Sequence, residues 1–185
     1  ELQALVKGHD PERPDEVDTV RGQATVALTR GEVQSVHLVP HDPPAVPEAV
    51  AAVRDADWVV LGPGSWFSSV IPHLLVPELL DALTETKARR VLSLNLAPQA
   101  GETEGFSPQR HLEVLGRHAP KLALDVVLAD EAAVPDRDVL TEAAKRLGAA
   151  VELAPVARRD GTPRHDPELQ GCDLLPGLCP GRPPA

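Results

Sequence analysis

Trp58-Val59-Val60-Leu61-Gly62-Pro63-Gly64-Ser65-Trp66-Phe67-Ser68-Ser69 passes from four apolar residues straight into a loop of glycine, proline and serine. A short apolar run without polar alternation marks a strand buried on both faces, the habit of parallel sheets. The passage recurs in Val91-Leu92-Ser93-Leu94-Asn95-Leu96 and in Leu124-Asp125-Val126-Val127-Leu128, each followed by a loop and an amphipathic stretch. Val76 to Thr86, Pro108 to His118 and Val139 to Leu147 supply the helices, and Val151 to Val156 a fourth run after the Gly148 stop signal. This alternation predicts an α/β fold: three-layer, doubly wound and Rossmann-like, on a mostly parallel sheet with right-handed crossovers. The 33-residue interval from Val91 to Leu124 is also that of ankyrin repeats. Those repeats carry no such strands, so βα units are the better reading.

Working outward, residues 1–19 read as a flexible leader, because Gly8 to Asp18 is charged and interrupted by Pro11 and Pro14. Gln23 to Thr29 and Val33 to Val39, separated by Arg30-Gly31, read as a β-hairpin inserted before the sheet. His41-Asp42-Pro43-Pro44 breaks the chain, and Pro47-Glu48 opens a short helix. Residues 20–169 then form the α/β domain. Residues 170–185, rich in Pro and Gly without periodicity, read as a disordered tail.

Composition narrows the function. The chain has 185 residues, 18 Lys and Arg against 28 Asp and Glu, a net charge of -10, and aromatics at 2%. Nucleic-acid binding is excluded as an expectation: phosphate neutralisation needs cations, and stacking needs aromatic rings. A small phosphorylated ligand needs only one Arg and a few N–H groups. No stretch of about 18 apolar residues is present, so no membrane span is expected. The N-terminus carries no secretory pattern, which makes the cytoplasm the default location. Cys172 and Cys179 have no histidine partners nearby, so neither a zinc site nor a disulfide framework is expected. Met is absent and the chain opens in Glu1-Leu2-Gln3, which reads as entry partway into a longer protein.

In open parallel sheets, ligands bind beyond the carboxyl ends of the strands, where loops and helix N-termini present unpaired N–H groups. The first such loop is Gly62 to Ser69. Gly62 and Gly64 let backbone approach a ligand, and Ser65, Ser68 and Ser69 add hydroxyl donors, which suits a phosphate or diphosphate cradle. The competing reading is a tight turn whose serines cap the next helix. Asn95, at the end of the second run, can read donors and acceptors together, and Thr103 can meet a hydroxyl or phosphate. Glu102 and Glu104 could serve as base or magnesium ligands, against a plain solvated pair. Ser107 before Pro108 reads as an N-cap. Asp130-Glu131 and Arg164-His165-Asp166 close the series, with Arg164 either a guanidinium fork for diphosphate or a surface partner of Asp160 or Asp166. His73 reads as a core or helix-capping histidine. No catalytic triad can be picked out, and no metal ligand set or catalytic residue is assigned.

The string from Trp58 through Pro77 resembles the gluconeogenesis factor (YvcK-like) family, within the superfamily of the 2-phospho-L-lactate transferase CofD. Asn95-Leu96, Gly101-Glu102-Thr103-Glu104-Gly105-Phe106-Ser107, His111 and Arg164-His165-Asp166 are similar to further blocks of that family in order. Arg21-Gly22-Gln23 also fits, so the likeness runs from about Val20 to Leu169. The resemblance implies a CofD-like domain in a cytoplasmic protein that binds UDP-glucose or UDP-N-acetylglucosamine. It implies a need for that protein in cell shape and wall synthesis on gluconeogenic carbon sources, more a binding protein than an enzyme. Gly62, Gly64, Ser65, Ser68, Ser69, Asn95 and Thr103 would line the cleft, and Arg164 would contact the nucleotide. The alternative it implies is a transferase that joins a phospholactyl group to a deazaflavin precursor with Mg2+.

Two departures accompany the likeness. Family members open with a strand and a glycine-rich loop that this chain lacks, which reads as an N-terminally truncated copy. An exposed sheet edge of that kind leaves room for a homo-oligomer. Past Arg164-His165-Asp166 the family continues in a helix, where this chain turns to its Cys/Pro/Gly tail. Pro167 stands where some relatives carry a phosphorylatable Thr.

Overall fold

The computed structural model of the chain describes residues 1–99, 101–158, 160, 162 and 164–166. Strands β1 (Leu2–Lys7) and β2 (Val17–Arg21) are followed by helix α1 (Gln23–Ala27), strand β3 (Glu32–Leu38) and helix α2 (Pro47–Asp55). Strand β4 (Trp58–Leu61) then leads through a π-helical turn (Trp66–Val70) into α3 (Ile71–Leu74) and α4 (Pro77–Glu85). Strand β5 (Arg89–Ser93), helix α5 (Pro108–His118), strand β6 (Val126–Ala129), helix α6 (Arg137–Lys145) and strand β7 (Ala150–Leu153) complete the order.

Strands β4, β5, β6 and β7 form one parallel sheet in sequential order. Their carboxyl ends therefore share one rim, where the expected candidate loops emerge. The α/β class and parallel sheet expected from the apolar runs are present, and α5 spans the bounds read from Pro108 and His118. Side chains alternate between two clusters. Leu61, Leu92 and Val127 join the large core with Leu112, Leu115 and Leu140 of the helices. Val91, Leu128, Ala154 and Val156 form a smaller cluster, and Val60 stays 46% exposed.

The N-terminal third corrects two expectations. Residues 1–19 are not a flexible leader throughout: β1 is the middle strand of a separate antiparallel sheet ordered β2-β1-β3. Leu2, Ala4 and Val6 alternate inward and are buried, a period-2 signal masked by the charged residues that follow. The hairpin expected over residues 23–39 is also absent. Gln23–Ala27 is a short helix that buries Val26, and only β3 of the pair is a strand, pairing with β1 instead. Tertiary contact overrides the β-propensity of Thr25 and Val26 here: Gln23 Nε2 donates to the Ser68 carbonyl at 2.6 Å. The antiparallel sheet and the parallel sheet contribute to one continuous core. The expected tail 170–185, with Cys172 and Cys179, lies outside the described residues.

Candidate functional site

The loop after β4 is held from three directions. Gly62 sits at φ +72, and a Cβ there would lie 2.7 Å from the Ser93 carbonyl oxygen, so loop and neighbouring strand end touch through bare backbone. Asn95 spans the Gly64 peptide unit's two polar groups: its Oδ1 accepts the Gly64 N–H at 3.0 Å and its Nδ2 donates to the Gly64 carbonyl at 2.9 Å. The Phe67 N–H donates to Glu102 Oε2 at 3.2 Å. Ser65 and Ser68 hydrogen-bond through their hydroxyls, and the Ser65 carbonyl accepts from the N–H groups of Ser69 and Val70. Among the described residues, no acceptor meets the N–H groups of Ser65, Trp66 and Ser68. The turn thus has a fixed backbone with unmatched donors, of which that of half-buried Ser65 lies nearest the surface, and helix starts of this kind attract anions.

Several expected roles change. Asn95 spends both ends of its carboxamide on Gly64. Thr103 is fully buried, and its Oγ1 accepts the Gln99 N–H at 2.8 Å, so it closes its own loop. Glu102 is not one of a solvated pair: it is 2% exposed, and its Oε1 has no hydrogen-bond partner, whereas Glu104 is exposed. Burial of a carboxylate ordinarily costs free energy unless it is hydrogen-bonded. Here one oxygen is used and the other is enclosed beside the turn it supports. Ser68 is buried, and Ser65 and Ser69 are half-buried.

Beneath the turn lies a group of rings. Trp66 and His111 meet edge to face with centroids 4.9 Å apart, and Phe106 contacts both His111 and Phe67 in the same manner. His111 Nδ1 shares a hydrogen bond with the Ser107 carbonyl at 2.9 Å. Burial pushes its imidazole below the ordinary histidine value, and the Ser107 carbonyl opposes this. Ser107 is the N-cap of α5, accepting the Arg110 N–H. His73 is exposed at the end of α3, not in the core. It stands with Pro63 and Ser69 at a groove of about 340 Å³, floored by Val59, Leu79 and Leu83.

The last block reaches the same rim by another route. Asp130, directly after β6, accepts N–H bonds from Ala132, Val156 and Ala157. His165 bridges to Ala157 through the backbone, and its imidazole, whose Nε2 is enclosed without a hydrogen-bond partner among the described residues, lies near the backbone of Leu94, the residue before Asn95. Burial lowers the His165 value, while the nearby Leu94 backbone and the Asp130 charge pull it up. Arg164 is exposed and forms no ion pair among the described residues. Its charge, with that of Arg158, acts on Asp160, whose carboxyl is lowered first by the Thr162 hydroxyl. Gly62, Gly64, Ser65, Ser68, Ser69 and Asn95 are therefore contiguous, Arg164 is two residues before Asp166, which bonds the Val156 carbonyl, and Thr103 is buried in the loop after Asn95. Gln23 is expected only within the Arg21-Gly22-Gln23 block and Asp130 among the candidate loops, and the sequence shows the supporting contacts of neither. Their partners lie 45 and 26 residues away, a separation that no local motif encodes.

These features define an α/β protein whose loops converge on the carboxyl edge of a parallel sheet. The sequence profile described as 2-phospho-L-lactate transferase CofD matches residues 6–162, and the chain belongs to the CofD family. Among curated relatives, the putative gluconeogenesis factor of Mycobacterium tuberculosis is 48% identical over 182 residues, covering 97% of this chain and 52% of the relative. That of Mycobacterium leprae is 52% identical over 151 residues, covering 80% of this chain and 42% of the relative. The chain spans about half the length of these relatives. A crystal structure of a UPF0052 family member from Bacillus halodurans superposes with a TM-score of 0.73 at 26% identity, over 89% of this chain and 55% of that one. No helix among the described residues is long and apolar enough to cross a membrane.

Proposed function

We propose that this chain contributes one wall of a UDP-sugar site in a protein of the gluconeogenesis factor type, serving cell shape and wall synthesis without turnover of the ligand. The observation that carries the reading is the turn after β4. Its backbone is clamped by Asn95 and Glu102, and the N–H groups of Ser65, Trp66 and Ser68 meet no acceptor among the described residues, Ser65 being half-buried and the other two buried. The name of the mycobacterial relatives, putative gluconeogenesis factor, supports the type of protein.

One helical turn contributes only about 0.3–1 kcal/mol toward a charge at its N-terminus, so the loop needs a cation, and the exposed guanidinium of Arg164 is the one this reading assigns to it. UDP-glucose and UDP-N-acetylglucosamine are the ligands to test, and the cytoplasm is the compartment where such sugars would be met. Titration calorimetry on the natural full-length protein, with and without Mg2+, should show binding that Arg164→Ala weakens. Absence of measurable affinity for every uridine nucleotide would remove the reading.

The transferase description of the matching profile favours a second reading, phospholactyl transfer to a deazaflavin precursor. In that case, product would accumulate when both substrates and Mg2+ are supplied. Nucleotide-sugar binding without product separates the two.

A further inference from the structure

Arg164 is exposed and unpaired among the described carboxylates, yet the backbone beneath it is unusually well tied. Asp130, 7% exposed, gives Oδ2 to the N–H groups of Val156 and Ala157 at 2.9 and 3.0 Å, and Oδ1 to that of Ala132 at 3.0 Å. Three backbone donors on one carboxylate are charge-assisted bonds, stronger than neutral ones. They fasten residues 156–157 to the end of β6. From that segment the Val156 carbonyl accepts the Asp166 N–H at 2.8 Å, Ala157 bridges to His165, and Arg158 donates its N–H to the Arg164 carbonyl at 2.9 Å. The imidazole of His165 is enclosed, its Nε2 without a partner among the described residues, with the Leu94 backbone at the end of β5 and Asp130 near enough to influence its charge. The Arg164 carbonyl and the two residues that follow it are therefore tied to the segment that Asp130 holds at the end of β6, while its side chain forms no ion pair among the described residues.

We propose that Asp130 and His165 are positioning residues that seat Arg164 over the ligand rim. The carboxylate does this by holding residues 156–157, to which His165 is bridged, and the enclosed imidazole by filling the space next to Arg164 near Leu94. The inference rests on the rim being a nucleotide-sugar site. Pre-ordering of this kind lowers the entropy that binding must supply, because an arginine on a loose segment has both backbone and rotamers to immobilise. Neither positioning residue needs to touch the ligand.

A double-mutant cycle in the natural full-length protein tests it, with UDP-glucose as probe and ligand-observed NMR to follow weak binding. Asp130→Asn removes the charge and should raise Kd about tenfold or more with Arg164 present, but less than about twofold in the Arg164→Ala background. Hydrogen exchange at the Val156 and Ala157 amides should quicken in the same variant. His165→Ala repeats the cycle if Asp130→Asn does not fold. Equal losses of affinity in both backgrounds would mark a general structural role and overturn the inference, as would faster exchange with unchanged Kd. Absence of wild-type affinity for any uridine nucleotide would instead overturn the underlying reading, and this one with it.

Discussion

Asn95 holds Gly64 by both of that glycine's backbone polar groups, at 3.0 Å through Oδ1 and 2.9 Å through Nδ2. A side-chain amide thereby stands in for a neighbouring strand, and the loop after β4 is fastened to the end of β5. Only an amide can accept and donate in this fork. Asn95→Asp would set a carboxylate oxygen against the Gly64 carbonyl. Urea denaturation should show a loss of about 1–3 kcal/mol, the cost of an unsatisfied buried group. A loss no greater than that of an exposed control such as Gln34→Glu would show that the clamp does not matter.

Glu102 performs a related task with only one oxygen engaged. Glu102→Gln can still accept from the Phe67 N–H while shedding the charge, so its stability should stay within about 1 kcal/mol of the parent. Glu102→Ala leaves that N–H without an acceptor and should cost about 1–3 kcal/mol. If the two variants denature together, the hydrogen bond to Phe67 is not what Glu102 provides.

Two glycines separate backbone strain from steric exclusion. Gly101 and Gly105 have φ of +85 and +75; a Cβ at Gly101 would fall 1.8 Å from the Thr29 carbonyl oxygen, whereas one at Gly105 meets nothing within 4 Å. Gly105→Ala should cost only the left-handed penalty, about 1–2 kcal/mol. Gly101→Ala must also push the 101–106 loop off residues 29–30, so its thermal midpoint should fall well below that of Gly105→Ala. Matching midpoints would contradict the close approach.

His111 makes stability depend on pH with a definite sign. Its imidazole is held below the unfolded value of about 6.5 by burial, so between the two values the unfolded chain binds more protons. The contribution is therefore present above about pH 6.5 and is lost as pH falls through the lower, folded value. Denaturation midpoints taken from pH 7.5 down to pH 5 should decline in the parent and decline less in His111→Phe, which keeps a ring against Trp66. Identical slopes would place the pH dependence elsewhere.

What the sequence by itself determined is the repeated strand, loop and helix of the second half. That signal is local: apolar runs of strand length, Gly and Pro at their ends, and a Ser-Pro start that places α5 between Pro108 and His118. The resemblance carried by Trp58 to Pro77 and the later blocks pointed to the family in the same way, by contiguous residues. Only the tertiary structure decided that Leu2–Lys7 is a central strand, that Gln23–Ala27 coils instead of extending, that Glu102 and Thr103 lie inside, and that Asn95 turns toward Gly64. Each of these depends on a partner remote in the chain: β3 for β1, Ser68 for Gln23, Phe67 for Glu102, Gly64 for Asn95. The free energy of such pairings comes from burial and from satisfying buried polar groups. Neither quantity exists until the chain has closed on itself.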